Sequence, residues 1–137
     1  MAIYTLIDHT ADIGIEIQAR TKKGLFCRAA LAMSHLMTGV PATHASGGRE
    51  ESIHVEGADT EDLLVNFLRE ILYLQNSRGL VLCDCRIEKG GRRRLAAVIC
   101  FEPAQRRPQL EIKAVTYHGL RVSKEKSGWA ARVIFDV

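Results

Sequence analysis

Long apolar runs are missing from this 137-residue sequence, and none approaches the roughly 20 residues that a bilayer-spanning helix needs. The N-terminus lacks the basic start and apolar core of a secretory signal peptide, so we expect no membrane attachment and a cytoplasmic location. The chain is also too short for two domains of typical size. With 47% hydrophobic and 26% charged residues it has the balance of a globular protein, and we expect one domain over residues 1–137.

The motifs of several common enzyme classes are absent as well. The sequence contains no phosphate-binding glycine loop, no nucleophile elbow and no internal repeat. Among the four cysteines only Cys83 and Cys85 are close, and the single residue between them is not the spacing of a zinc knuckle. We therefore interpret all four cysteines as small buried hydrophobic residues rather than as metal ligands or redox groups.

Aromatic residues are scarce, at 6% of the chain, and none alternates with basic residues to form stacking platforms for a nucleic-acid strand. The net charge of +3 is mildly basic, and the basic residues are unevenly clustered. The clusters are Arg92, Arg93 and Arg94; Arg106 and Arg107; and Arg121, Lys124 and Lys126. These clusters would form a nucleic-acid-binding surface only if they met on one face of the protein. The alternative is that they are solvated loop charges, which keep the edges of strands from associating.

Apolar periodicity predicts two helices and a larger number of strands. The first helix follows the N-cap candidate Thr21 and ends at Gly39, and the second follows Asp59 or Thr60 and ends at Gly79. Strands are predicted at residues 2–7, 13–19, 51–56, 80–88, 95–101, 110–115, 120–123 and 129–137. This order predicts an α+β fold: a single domain with a mostly antiparallel sheet and two amphipathic helices packed on one side.

Residues 8–12 concentrate polar chemistry between the first two predicted strands. The carboxylates of Asp8 and Asp12 flank the imidazole of His9 and a threonine hydroxyl. A bend at this point would direct these groups toward one place. An ordinary hairpin turn is the alternative, because Asp and Thr are common turn residues.

Residues 111–118 form a second polar grouping. Alternation along a strand places Glu111, Lys113 and Val115 on one face. A lysine within so apolar a strand must reach solvent or meet an acid, because an unpaired buried ammonium is costly. A functional lysine and a snorkelling lysine on an open sheet face are therefore both consistent with the pattern.

The C-terminal residues 133–137 form an apolar strand that ends in Asp136 and Val137. Docking of this strand on a sheet would hold the Asp136 side chain and the terminal carboxylate in fixed positions. Together with Asp8 or Asp12 they would offer several hard oxygen ligands, which suit Ca²⁺, Mg²⁺ or Mn²⁺. The long sequence separation leaves open whether these groups meet.

Four sequence blocks resemble the archease family. They are DHTADIG at residues 8–14, DLLVNFLREILY at 62–73, IKAVTYH at 112–118 and VIFDV at 133–137. The blocks run from one end of the chain to the other in the family's order, and together they are specific. The chain departs from the family pattern before Glu102, where Phe101 stands in place of an expected glycine, and at Arg107, where histidine is common.

The resemblance implies an archease-like fold and an accessory protein rather than an enzyme. Archeases assist RtcB-type RNA ligases, which join RNA ends in tRNA splicing and repair through a histidine–GMP intermediate. They promote guanylylation of the ligase and its multiple turnover, so the link to nucleic acid (tRNA) is indirect. A chaperone-like role towards a tRNA methyltransferase has also been associated with the family.

The resemblance also implies a divalent metal ion, Ca²⁺, Mg²⁺ or Mn²⁺, as the cofactor. Its ligands carry over onto Asp12 and Asp136, and Val137 contributes through its main chain or terminal carboxylate. The further functional candidates in the same blocks are His9, Lys113, Asp8 and His118.

Two other classes of function are alternatives. In the first, the protein is itself a metal-dependent hydrolase in which Asp12, His9 and Asp136 activate water. Neither a clear nucleophile–base pair nor a second full set of ligands supports this alternative. In the second, it is a small RNA-binding module that uses the arginine clusters, and its RNA affinity would fall steeply with salt.

Overall fold

Two helices and seven strands form the described part of the chain, which in this computed structural model comprises residues 4–8, 12–40, 48–104 and 107–137. In chain order the elements are β1 (Thr5–Asp8), β2 (Asp12–Ala19), α1 (Lys22–Thr38), β3 (Arg49–Glu56), α2 (Thr60–Arg78), β4 (Leu80–Gly90), β5 (Arg94–Pro103), β6 (Ala114–Glu125) and β7 (Gly128–Asp136). Among these residues no helix combines the length and the apolar composition that a membrane crossing requires.

Helix α1 is delimited by the two residues that the sequence predicts. The Thr21 hydroxyl accepts a hydrogen bond from the Gly24 amide at 3.0 Å, which satisfies one of the free donors of the first turn. Gly39 has a left-handed backbone with a φ of 78°, and its N–H donates to the His35 carbonyl at 2.8 Å. Between these caps the helix buries one face, which includes Phe26, against β2, β4 and β7.

Helix α2 is capped by Asp59 rather than by Thr60. The Asp59 carboxylate accepts a hydrogen bond from the Asp62 amide at 2.8 Å, and acidic residues in the first turn favour the positive end of the helix. The helix ends at the glycine that the sequence predicts. Its buried face packs against β3, β4 and β6, and the ring of Phe67 lies 5.9 Å from that of Phe26, which joins the two helices.

The strands divide between two sheets. One has the order β1-β2-β7-β6 and the other β3-β5-β4, and all neighbouring strands are antiparallel. Each helix packs against strands of both sheets, so one hydrophobic core connects them. The predicted α+β fold is confirmed, and the division of its strands into two sheets is a feature that no local pattern in the sequence encodes.

Strand β6 corrects the prediction of separate strands at residues 110–115 and 120–123. The observed strand is continuous and pairs with β7, with an irregular register between Thr116 and Arg121. Their partners on β7, Ile134 and Arg132, are only two residues apart, so the intervening part of β6 bulges out of the ladder. Gly119 within this bulge has a φ of 62°, which favours glycine.

Candidate functional site

Strand β2 begins and strand β7 ends at the same point of the four-stranded sheet. Asp12 and Asp136 are register partners across these antiparallel strands. Directly opposed residues project their side chains to the same face of a sheet, with Cβ atoms about 5 Å apart. Both aspartates are half-buried. The fold therefore brings together two carboxylates that lie near opposite ends of the sequence, and we refer to them as the aspartate pair.

Two further candidates lie beside the aspartate pair. The Lys113 amide donates to the Asp136 carbonyl at 2.8 Å, whereas the Lys113 side chain is exposed and reaches solvent. The prediction that Lys113 lies within a strand is wrong, because β6 begins at the next residue. Val137 directly follows Asp136 and packs against the hydrophobic core, which fixes the chain beyond β7.

The donor atoms of the aspartate pair suit a hard cation. Like-charged groups that oppose each other across strands repel, and a cation bound between them relieves that repulsion. Within the described part of the chain, no third Asp, Glu, His or Cys side chain joins the pair. The remaining positions around a Ca²⁺, Mg²⁺ or Mn²⁺ ion would therefore fall to main-chain oxygen, including that of Val137, and to water.

The other predicted candidates are not brought to the aspartate pair by any described contact. His9 and the side chain of Asp8 lie outside the described residues, although the Asp8 main chain pairs with Ile13 in β1 and β2. His118 is exposed in the bulge of β6, and its amide donates to the Thr116 hydroxyl at 3.3 Å. The geometry thus selects Asp12, Asp136, Val137 and Lys113 as the group that lies together.

A groove of about 460 Å³ lies between α2 and the start of β6. Its lining includes Arg69 and Tyr73 of α2 and, on the other side, Lys113. The side chain of Tyr73 is 65% exposed. Because Lys113 lines the groove and also bonds to Asp136 through its amide, the groove and the aspartate pair are neighbours.

A polar cluster that no pattern in the sequence predicts ties α2 to the bulge of β6. The Tyr117 hydroxyl donates to Asp62 Oδ1 at 2.7 Å, and the Arg69 guanidinium carbon lies 4.8 Å from the centre of the Tyr117 ring. Arg69 also donates to the Val115 carbonyl through Nε and Nη2, at 3.2 and 3.1 Å. Asp62 and Arg69 lie in one of the sequence blocks that resemble the archease family, and Tyr117 lies in another. Their membership of these blocks is the one feature of the sequence that marks the three residues.

The hydrogen bonds of this cluster also set its charge state. Donation from the Ala58 amide and then from the Tyr117 hydroxyl holds the pKa of the Asp62 carboxyl below its usual value. The same bond to Asp62 raises the pKa of Tyr117 above its usual value. Asp62 therefore stays ionised and Tyr117 stays protonated at neutral pH, so the cluster positions the two elements rather than exchanging protons.

Two of the three basic clusters occupy hairpins, and these hairpins belong to different sheets. The residues at 92–94 are exposed at the turn from β4 to β5, whereas Arg121, Lys124 and Lys126 are exposed along β6 and its turn into β7. Arg107 is exposed, and Arg106 lies outside the described residues. Because the clusters are spread over different elements, solvated loop and strand charge explains them better than a single nucleic-acid-binding face does.

The chain matches known sequences over nearly its whole length. A model of the archease protein family matches residues 4–137. The protein archease of Pyrococcus furiosus is 36% identical over 137 residues, with 95% of each chain covered. The protein archease of Methanosarcina barkeri is 33% identical over 141 aligned positions, which cover 98% of this chain and 95% of that protein.

Solved structures show the same fold. The solution structure of Methanobacterium thermoautotrophicum protein 1598 superposes with a TM-score of 0.78 at 25% identity, and both chains are fully covered. A crystal structure from Thermotoga maritima, described as an archease and possible chaperone, has a TM-score of 0.67 at 25% identity over 96% of this chain and 94% of that chain. The resemblance seen in the four sequence blocks is confirmed, and the chain belongs to the archease family.

Proposed function

We propose that this protein is an accessory protein of an RtcB-type RNA ligase in tRNA splicing and RNA repair. In this role it promotes guanylylation of the ligase and its repeated turnover through a divalent metal ion held at the aspartate pair, and it does not itself join RNA. The observation that carries the proposal is the register that places Asp12 directly opposite Asp136.

The residues of the proposed metal site are Asp12, Asp136 and Val137, the last through its main-chain oxygen. Their elements hold them in place: the β2–β7 ladder fixes the two aspartates, and core packing fixes Val137. A divalent cation bound there supplies positive charge for phosphate oxygens. Preorganisation of the carboxylates by the sheet lowers the cost of forming such a site.

The surroundings of the aspartate pair suit a partner that handles a nucleotide triphosphate. In guanylylation a ligase histidine attacks the α-phosphate of GTP and pyrophosphate leaves, so positioning and neutralisation of phosphate charge dominate the chemistry. Lys113, whose side chain is exposed, lines the adjoining groove together with Arg69 and Tyr73. This protein would thus offer the ligase a face that combines bound positive charge with an open groove.

Formation of the ligase–GMP adduct from labelled GTP tests the proposal. The variants are Asp12→Asn and Asp136→Asn, which keep the side-chain shape and remove a charge, and the matched control is Glu125→Gln at the exposed far end of β6. We expect each aspartate variant to lose stimulation roughly tenfold or more, since metal sites are sensitive to their ligands. The control is expected to stimulate like the wild type. Full stimulation by both aspartate variants would remove the metal ion from the mechanism.

A chaperone-like role towards a tRNA methyltransferase is the second candidate. It is favoured by the similarity to the T. maritima protein described as a possible chaperone, and by the exposed aromatic side chains of Tyr73 and Tyr117. Light scattering of a heated methyltransferase, with and without this protein, tests that role. Suppression of aggregation that Asp12→Asn leaves intact would assign it to a surface other than the aspartate pair.

A further inference from the structure

Two cysteines that are distant in the sequence lie in direct contact. Cys27 is on α1 and Cys85 is on β4, and their Sγ atoms are 3.1 Å apart. This separation is about 1 Å longer than the sulfur–sulfur bond of a disulfide. Both residues are half-buried rather than fully buried. The interpretation of all four cysteines as small buried hydrophobic residues fits Cys83, whereas Cys27 and Cys85 are only half-buried.

We propose that Cys27 and Cys85 form an oxidisable dithiol, which a hydroperoxide converts into a disulfide that links α1 to β4. The two elements already pack against each other, so the bond requires only a small approach of the sulfurs. Within the described part of the chain neither cysteine joins the aspartate pair as a third potential ligand. The proposal therefore does not depend on the proposed ligase function.

Cys27 is the nucleophile of this dithiol. The interaction with the Cys85 side chain lowers the pKa of Cys27, and the same interaction raises the pKa of Cys85. The thiolate is the reactive form of cysteine, so the lowered pKa favours attack by Cys27.

The oxidation proceeds in two balanced steps. The Cys27 thiolate attacks one peroxide oxygen, the O–O bond breaks, and the leaving alkoxide or hydroxide takes a proton while Cys27 becomes a sulfenic acid. The Cys85 sulfur then attacks the Cys27 sulfur, its proton leaves with the departing hydroxyl as water, and the disulfide forms. The two thiols supply the two electrons that reduce the peroxide, and a dithiol reductant reverses the reaction.

Cys83 and Cys100 provide matched controls within the same protein. Cys83 is only 1% exposed, and its Sγ donates to the Cys100 carbonyl at 3.2 Å. Burial raises the pKa of Cys83 to about 12, so it stays a protonated thiol near neutral pH. We therefore expect Cys83 to react far more slowly than Cys27.

Peptide mapping of the wild-type protein after treatment with hydrogen peroxide tests the proposal. We expect a Cys27–Cys85 cross-link that dithiothreitol reverses. Because the bond closes a loop between residues 58 positions apart, the thermal midpoint of the oxidised protein should rise. The expected rise is on the order of 10 °C.

Single serine variants distinguish the Cys27–Cys85 dithiol from the control residues Cys83 and Cys100. Cys27→Ser and Cys85→Ser are expected to abolish the cross-link and the rise in thermal midpoint, whereas Cys83→Ser and Cys100→Ser keep both. A cross-link that involves Cys83 or Cys100, irreversible sulfinic acid without a disulfide, or four unreacted thiols would overturn the proposal. The wild-type map needs no variant, so the test holds even where a serine substitution prevents folding.

Discussion

Replacing one member of the aspartate pair by asparagine is expected to stabilise the metal-free protein. Asp12 and Asp136 oppose each other directly, and two unit charges about 5 Å apart repel by about 0.8 kcal/mol even at the dielectric constant of water. Asparagine keeps the shape and removes one charge. We therefore expect Asp12→Asn to raise the free energy of unfolding by about 0.5–1 kcal/mol, or the thermal midpoint by about 2–4 °C.

The same substitution is expected to remove stabilisation by metal. A ligand at 100 times its dissociation constant stabilises the native state by about 2.7 kcal/mol. For a chain of this size that corresponds to a rise in thermal midpoint of about 9 °C. The wild type should therefore respond to saturating Ca²⁺ or Mn²⁺ and Asp12→Asn should not, so the order of their stabilities inverts when metal is added.

Thermal unfolding at low ionic strength, first with a chelator and then with metal, measures both effects. Asp136→Asn should behave like Asp12→Asn, and the double variant should show no further relief of repulsion, because either single change already removes the like-charged pair. Added salt screens the repulsion between the two carboxylates, so it should reduce the increase in thermal midpoint that the metal-free variants show over the wild type. Destabilisation of metal-free Asp12→Asn would contradict repulsion within the aspartate pair, and a wild-type response to metal in Asp12→Asn would contradict metal binding there.

Two further predictions concern the start of α1 and the polar cluster between α2 and β6. Thr21→Ala removes the cap on the Gly24 amide and should lower the free energy of unfolding by about 1 kcal/mol in urea denaturation; an unchanged midpoint would contradict the capping role. Tyr117→Phe should raise the pKa of Asp62 part of the way to its usual value, because the larger contribution of the Ala58 amide remains. A lowered carboxyl pKa gives stability that is present above the usual carboxyl range and lost as pH falls through the folded-state pKa. The variant should therefore lose less stability on acidification, and an NMR titration of Asp62 that matches the wild type would contradict this.

Local chemistry explains the parts of the fold that the sequence predicted well. Thr21, Asp59 and Gly39 act within a few residues of their own positions, through a hydrogen bond to the first turn or a left-handed backbone. Such signals are complete in the sequence, because every partner is a near neighbour in the chain. The helices and their ends were therefore predictable.

Pairings between distant segments were not predictable from local patterns. The opposition of Asp12 and Asp136 depends on which strand lies beside β2 and in which register, and only the family resemblance pointed to it. The continuity of β6 depends on the partner strand β7, and the contact of Cys27 with Cys85 depends on how α1 packs on β4. These features are set by tertiary packing, which short-range periodicity does not specify.

The number of RNA products formed per ligase molecule is the most direct test of the accessory role. A ligase preparation that stops after about one product alone is expected to turn over repeatedly when this protein and a divalent metal are present. Asp136→Asn, added at the same concentration, should leave the yield near that of the ligase alone. A yield that is the same with and without the wild-type protein would contradict the accessory role, and full turnover with Asp136→Asn would contradict the part assigned to the aspartate pair.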